Sequence, residues 1–191
     1  MNSRLKKAKG FTLIEMLVSI GIFSVLMGVL SGIFLSSIKS QTHIVYTQYL
    51  VDNSNFILDY MGRYIRMAQK DTTGICLGAG NAKDNFLPTS GASSSITFLD
   101  YKNQCHRLFL DSGAGQIKEQ IDSNPAQVLT SDKIKVLDLK FNVTGGANSD
   151  NLQPKITIMI KSQANTTQDL NPLPQVTVQT SISQRNLDKQ I

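Results

Sequence analysis

From Phe11 to Ile38 the chain runs for 28 residues with Glu15 as its one ionisable side chain. Nothing else in the sequence constrains the fold as strongly. About 20 apolar residues, rising about 1.5 Å each in a helix, cross the hydrocarbon core of a bilayer. The run is also longer than the roughly 7–15 residues of a secretory h-region, and no small-x-small cleavage site follows it. It predicts a retained membrane span rather than a removable signal or a cytosolic core helix. Ahead of it, Met1 to Gly10 carries Arg4, Lys6, Lys7 and Lys9 and no acid. Such a basic stub is held at the cytoplasmic face by anionic lipid, which places Gln41 onward on the other side. A carboxylate inside a span is costly, and where one occurs it usually has a task.

The charge balance narrows the partners. The formal net charge is +5, but beyond the stub there are fifteen basic and fourteen acidic residues. No basic stripe with interleaved aromatics is present, so no nucleic-acid partner is expected. His43 and His106 fall in different predicted elements and read as surface or half-buried residues, since a metal site needs three or four convergent ligands. Asp150 with Asn148 and Asn151 reads as a turn rather than a calcium loop. Gly78-Ala79-Gly80 and Gly113-Ala114-Gly115 lack the strand-and-helix context of phosphate loops. No metal and no cofactor is expected. Cys76 and Cys105 lie on the extracytoplasmic side, where disulfides form. A bond between them, closing about 30 residues, would contribute roughly 3–4 kcal/mol on chain-entropy grounds. Two buried free thiols are the alternative.

Helical spacing continues past the apolar run. Tyr46, Tyr49/Leu50, Phe56/Ile57, Tyr60/Met61, Tyr64/Ile65 and Ala68 recur every three or four residues, which predicts one helix from Phe11 to about Gln69. Arg63, Arg66 and Lys70 would form a solvated basic edge. After a Gly- and Ser-rich stretch from Gly74 to Ser95, the period becomes two. Ile96–Asp100 and Cys105–Leu110 read as a hairpin, with Gln116–Ile121 as a third strand. Lys133–Val143 and Lys155–Ile160 bracket Gly145-Gly146 as a second hairpin, and Gln175–Ser183 is a last strand. The expected class is α+β, with antiparallel strands on the outer half of the helix. Four segments follow: a leader over 1–10, a membrane half of the helix over 11–38, an amphipathic half over 39–70 and a β-rich domain over 71–191.

Lys9-Gly10-Phe11-Thr12-Leu13-Ile14-Glu15, followed by the apolar run, resembles the class III signal of type IV prepilins and type II secretion pseudopilins. The resemblance implies a pilin-like fold, cleavage between Gly10 and Phe11 by a prepilin peptidase, and N-methylation of Phe11. It implies a bacterial inner-membrane protein that joins other pilins or pseudopilins through its N-terminal helix, on an inner-membrane assembly platform and in contact with lipid. Glu15 would then meet the amine of a neighbouring subunit and set register. Ser24, Gly28, Gly32 and Ser36 recur every fourth residue, with Gly21 nearby, and small residues at that spacing let membrane helices approach closely. Glycine also weakens a helix by about 1 kcal/mol against alanine, so the Gly21–Gly32 segment could unwind on assembly. Val51-Asp52-Asn53-Ser54, Leu58 to Ala68, Leu129-Thr130-Ser131 and Gln179 to Asn186 look like J-type pseudopilins and W-type minor pilins.

The expected function is therefore that of a minor pseudopilin or minor pilin that initiates or caps a filament. A single-pass binding module for cargo, a surface or DNA is the alternative. The sequence carries no nucleophile, acid–base pair or metal constellation, and no enzymatic activity is expected.

Overall fold

The computed structural model describes residues 10–149, 152–168 and 170–185. Arg4, Lys6, Lys7 and Lys9 of the leader lie outside these residues, as do Asp150, Asn151 and Asn186. The chain divides into two compact units, residues 1–42 and 43–191.

In the first unit the dominant element is the start of helix α1, Leu13–Arg66. No Pro interrupts it, and it is helical through Gly21, Gly28 and Gly32. Its most apolar window has a mean hydropathy of 2.3 and is 0% buried. Residues 10–41 are all exposed, Leu13 at 78% and Phe34 at 66% among them. A helix apolar on every side needs lipid or other helices around it.

The second unit combines the remainder of α1 with two antiparallel sheets. One contains β1 (Gly91–Ser93), β6 (Ile134–Thr144), β7 (Lys155–Ala164) and β8 (Gln175–Ser183), in the order β1-β6-β7-β8. The other contains β2 (Ser95–Leu99), β3 (Cys105–Asp111), β4 (Gln116–Ile121) and β5 (Gln127–Val128), in chain order. The α+β class expected from the sequence is the one observed, with pilin-like architecture.

On α1, Leu50, Ile57, Leu58, Met61 and Ile65, with Ala68 just past its end, are buried in one core with Phe98, Leu108 and Ile117 of the second sheet and Phe141, Ile156 and Ile158 of the first. Phe56, which the helical spacing placed with Ile57 on the stripe, is 64% exposed. Each residue along a helix turns by about 100°, and the buried face here takes Ile57 and Leu58, which leaves Phe56 on the far side. Tyrosines at the margin of the stripe reach polar partners: Tyr46 Oη with Thr166 Oγ1 at 3.0 Å, Tyr49 Oη with Ser131 Oγ at 2.8 Å.

Two short strands escape the sequence pattern. β1 lies inside the Gly- and Ser-rich stretch that precedes the period of two, and β5 has two residues. Neither is long enough to show alternation. Lys70 is also not part of the helical edge, because α1 ends at Arg66 and the Lys70 ammonium donates to Asn148 Oδ1 at 2.6 Å.

The link from α1 to β2 is organised by Asp71, which is fully buried. Its carboxylate accepts from the N–H groups of Thr73, Gly74, Cys76 and Leu77 and from the Thr73 hydroxyl, at 2.8–3.2 Å. Burial works to raise its pKa, but these donors outweigh it and hold the carboxyl below its ordinary value. Cys76, on this link, is joined to Cys105 at the start of β3 by a disulfide with a Cα–Cα distance of 5.3 Å.

Candidate functional site

α1 begins at the residues the sequence singles out. Thr12 stands just before the first helical residue, Leu13, and its carbonyl accepts the Met16 N–H at 3.2 Å. The Thr12 hydroxyl accepts the Glu15 N–H at 3.3 Å, and Glu15 Oε2 accepts the Thr12 N–H at 3.1 Å and its hydroxyl at 3.0 Å. This is a reciprocal capping box, in which two otherwise unpaired donors at a helix start are satisfied. A carboxylate in the first turn also complements the positive end of the helix dipole. Within the Lys9–Glu15 motif, Thr12 thus has a role of its own that the resemblance does not assign. Its signal was present as Thr-x-x-Glu, the spacing that a capping box requires.

Gly10 and Phe11 precede the cap in an exposed, non-helical segment, with Phe11 81% exposed. A Cβ built on Gly10 meets no atom within 4 Å. The chain itself thus makes no steric demand for glycine there. Gly21, Gly28 and Gly32 are equally open on the helix surface. The Ser24 hydroxyl donates to the Ile20 carbonyl at 2.8 Å, so its polarity is satisfied within the helix. Gly32, Ser36 and Ser40 line one shallow depression. The structure therefore gathers Gly10, Phe11, Thr12 and Glu15 at the helix start and sets the small residues on the surface of the following turns. Cys76 and Cys105 belong to the second unit.

The second unit holds a buried polar cluster that the sequence did not foreshadow. His106 on β3 is 1% exposed, not at or near the surface as expected. Its Nδ1 lies 2.8 Å from Glu119 Oε1 on β4, and its Nε2 lies 3.3 Å from Asp100 Oδ2. Glu119 Oε2 accepts the Tyr60 hydroxyl of α1 at 2.6 Å. Asp100 Oδ1 accepts the N–H groups of Lys102 and Gln104 in the β2–β3 turn. The imidazole lies against Phe98, centroids 5.5 Å apart and planes 8° apart, and against Tyr64 at 4.8 Å. Burial alone would lower the imidazole pKa, yet the Glu119 bond and the two carboxylates outweigh it and hold it above 6.5. Burial and Glu119 together raise the Tyr60 hydroxyl. Both ring nitrogens are engaged, and the cluster ties the β2–β5 sheet to α1. Asn148, the described member of the loop weighed as a calcium site, donates its N–H to Asp84 Oδ1 and accepts from Lys70. Among the described residues no group of three or more His, Cys, Asp or Glu side chains is arranged to hold a metal.

Residues 5–31 match the family model of the prokaryotic N-terminal methylation motif. The match covers the end of the basic stub, the Gly10–Phe11 junction, the capping box and the small residues through Gly28. The chain thus carries a class III signal, an N-terminus of the type found in pilins and pseudopilins, and its apolar helix is long enough for single-pass anchoring in the inner membrane. Compared with curated proteins and with solved structures, the chain gives no match.

Proposed function

We propose that this chain is a minor pseudopilin or minor pilin, processed at Gly10 and built into or onto a filament, and that it is a substrate and structural subunit rather than an enzyme. The observation that carries the reading is the class III signal, joined to a Glu15 carboxylate at the start of an exposed apolar helix. In the proposed processing step, a prepilin peptidase adds water across the Gly10–Phe11 amide, releasing the leader as a carboxylate and leaving a new amine on Phe11. Methylation follows on that amine, a methyl group passing from a methyl-donor cosubstrate to the nitrogen as the nitrogen gives up a proton. The leader stays cytoplasmic and the β-rich unit is extracytoplasmic.

Assembly then rests on the second oxygen of Glu15. The capping bonds use Oε2, which leaves Oε1 to meet the cationic amine of an adjacent subunit. Desolvation offsets much of the attraction in such a pair, so its value lies in register more than in stability. Gly21, Ser24, Gly28 and Gly32 let neighbouring helices come close. The finer assignment to the J-type and W-type groups rests on the outer-helix and C-terminal resemblances.

The test is the N-terminus of the native protein. Mass spectrometry is expected to find N-methylated Phe11, and Gly10→Val to leave the precursor uncut. Glu15→Gln should be inserted and cut but poorly incorporated. An intact leader in the native protein, or a mature start at or beyond Ser19, overturns the assignment. Full processing with no incorporation into any filament would favour the membrane-anchored binding module.

A further inference from the structure

Four strands end the two sheets, and three of them are poor templates for another strand. β1 has three residues and β5 two. The outer side of β2 is met by Leu87 and Gln69, through bridges at Thr97 and Leu99. β8 differs. It runs for nine residues in unbroken register with β7, without a bulge. Its sequence, Gln175 to Ser183, has no charge and no proline, so it lacks the side chains that commonly blunt an edge.

Parity identifies the free backbone groups. Ala164 N–H donates to the Pro174 carbonyl, and Gln184 N–H donates to the Pro154 carbonyl. Even-numbered residues of β8 therefore bond β7, and the N–H and C=O groups of Thr177, Gln179 and Ser181 point away from it. Among the described residues no other strand pairs with this side. Just past the strand, on the same parity, Arg185 N–H donates to the Arg66 carbonyl at the end of α1. The helix closes one end of the edge and stands beside the remainder. A cleft of about 530 Å³ separates the two, with Asp59, Arg63 and Arg66 on the helix side and Val178, Gln179 and Thr180 on the strand side.

We propose that the β8 edge docks an extended segment of a protein partner, added as a fifth strand, whose acidic side chains lie against Arg63 and Arg66. Backbone pairing supplies the attachment, and side chains at alternate positions supply the choice of partner. Both arginines are exposed, and the cleft sets two cations against one carboxylate, so it favours glutamate or aspartate over lysine. A second copy is a poor occupant, since β8 carries no acid and would bring a second pair of arginines. The inference is independent of how the N-terminus is processed.

The full chain in detergent micelles provides the test. The probe is a synthetic peptide the length of β8, alternating valine and threonine with glutamates along one face. It should slow amide exchange at Thr177, Gln179 and Ser181 while the β7 amides stay as they were. A lysine counterpart should bind about tenfold more weakly, and one N-methylated along its pairing edge should give no protection. Gln179→Pro removes an outward donor and no bond to β7, so it should abolish the effect with β7 protection intact. Arg63→Glu combined with Arg66→Glu should reverse the preference toward the lysine peptide. Unchanged exchange in β8 at the solubility limit of the peptide overturns the proposal, as does protection that survives backbone methylation. Disulfide-linked dimers of a Gln179→Cys chain, joined through β8, would give the edge to a second copy and likewise overturn it.

Discussion

At the residue scale, the Glu15 carboxylate accepts two hydrogen bonds from Thr12 through the same oxygen. Thr12→Val removes the hydroxyl that receives the Glu15 N–H, and loss of such a cap costs about 1 kcal/mol. The expected result is faster amide exchange at Leu13 to Glu15 with processing at Gly10 retained, and Thr12→Ser should restore the slow exchange. A close approach of another kind occurs at Gly146. A Cβ there would lie 2.5 Å from the Thr89 carbonyl oxygen and 3.0 Å from Val143 Cγ1. The nearer atom is backbone, and Gly146 N–H also donates to that carbonyl, so neither side yields easily. Gly146→Ala should destabilise the second unit by about 1–3 kcal/mol, read as a lower denaturation midpoint. Gly145-Gly146 was legible in the sequence as a turn. What made the second glycine necessary was not, because Thr89 belongs to a distant loop.

At the scale of elements, period-two patterning located the long strands because each has one face on the core. β4 and β8 have the bounds that alternation indicates, Gln116–Ile121 and Gln175–Ser183. β6 shows why alternation alone is not enough. Ile134 and Val136 are buried, then Leu139, Phe141 and Val143, and the change of parity coincides with a register shift between Val136 and Asp138. A bulge adds one residue to a strand, and Leu137, 38% exposed, is the residue added. The link between α1 and β2 was illegible for a different reason. The disulfide was expected from the two cysteines, but the buried Asp71 carboxylate and the backbone bonds of Asp71 with Lys83 and Asp84 that order the rest have no period. Replacing both Cys76 and Cys105 by serine should cost roughly 3–4 kcal/mol by releasing the chain between them. The sheets should persist, since Asp71 still gathers the backbone donors of the link. Denaturation of the full chain with and without reductant should reproduce that difference, and an unchanged midpoint would show that the bond adds nothing to the folded unit.

For the whole molecule, no described residue from 10 to 41 is buried, whereas the core runs from Leu50 to Ile182. The second unit therefore has a hydrophobic interior of its own, and a chain shortened to begin at His43 is expected to be soluble and to unfold cooperatively. Its stability should depend on pH in two windows with opposite sign. His106 is held above 6.5 in the folded state, so the folded chain binds more protons than the unfolded one as pH rises past 6.5. Its contribution is complete below that value and is lost as pH climbs through the raised pKa. Asp71 is held below 3.8, so its contribution is complete above that value and is lost as pH falls through the lowered pKa. His106→Gln should flatten the alkaline limb and, by leaving Asp100 and Glu119 without the cation between them, lower stability at neutral pH by about 3–5 kcal/mol. Asp71→Asn should weaken the acid limb, to which the lowered Asp111 carboxyl beside Lys118 also contributes, and leave the alkaline one in place. Urea denaturation across the pH range distinguishes the two. If the stability of the parent chain stays level from pH 6.5 upward, the imidazole is buried neutral, and the cluster then joins α1 to the β2–β5 sheet by hydrogen bonds alone.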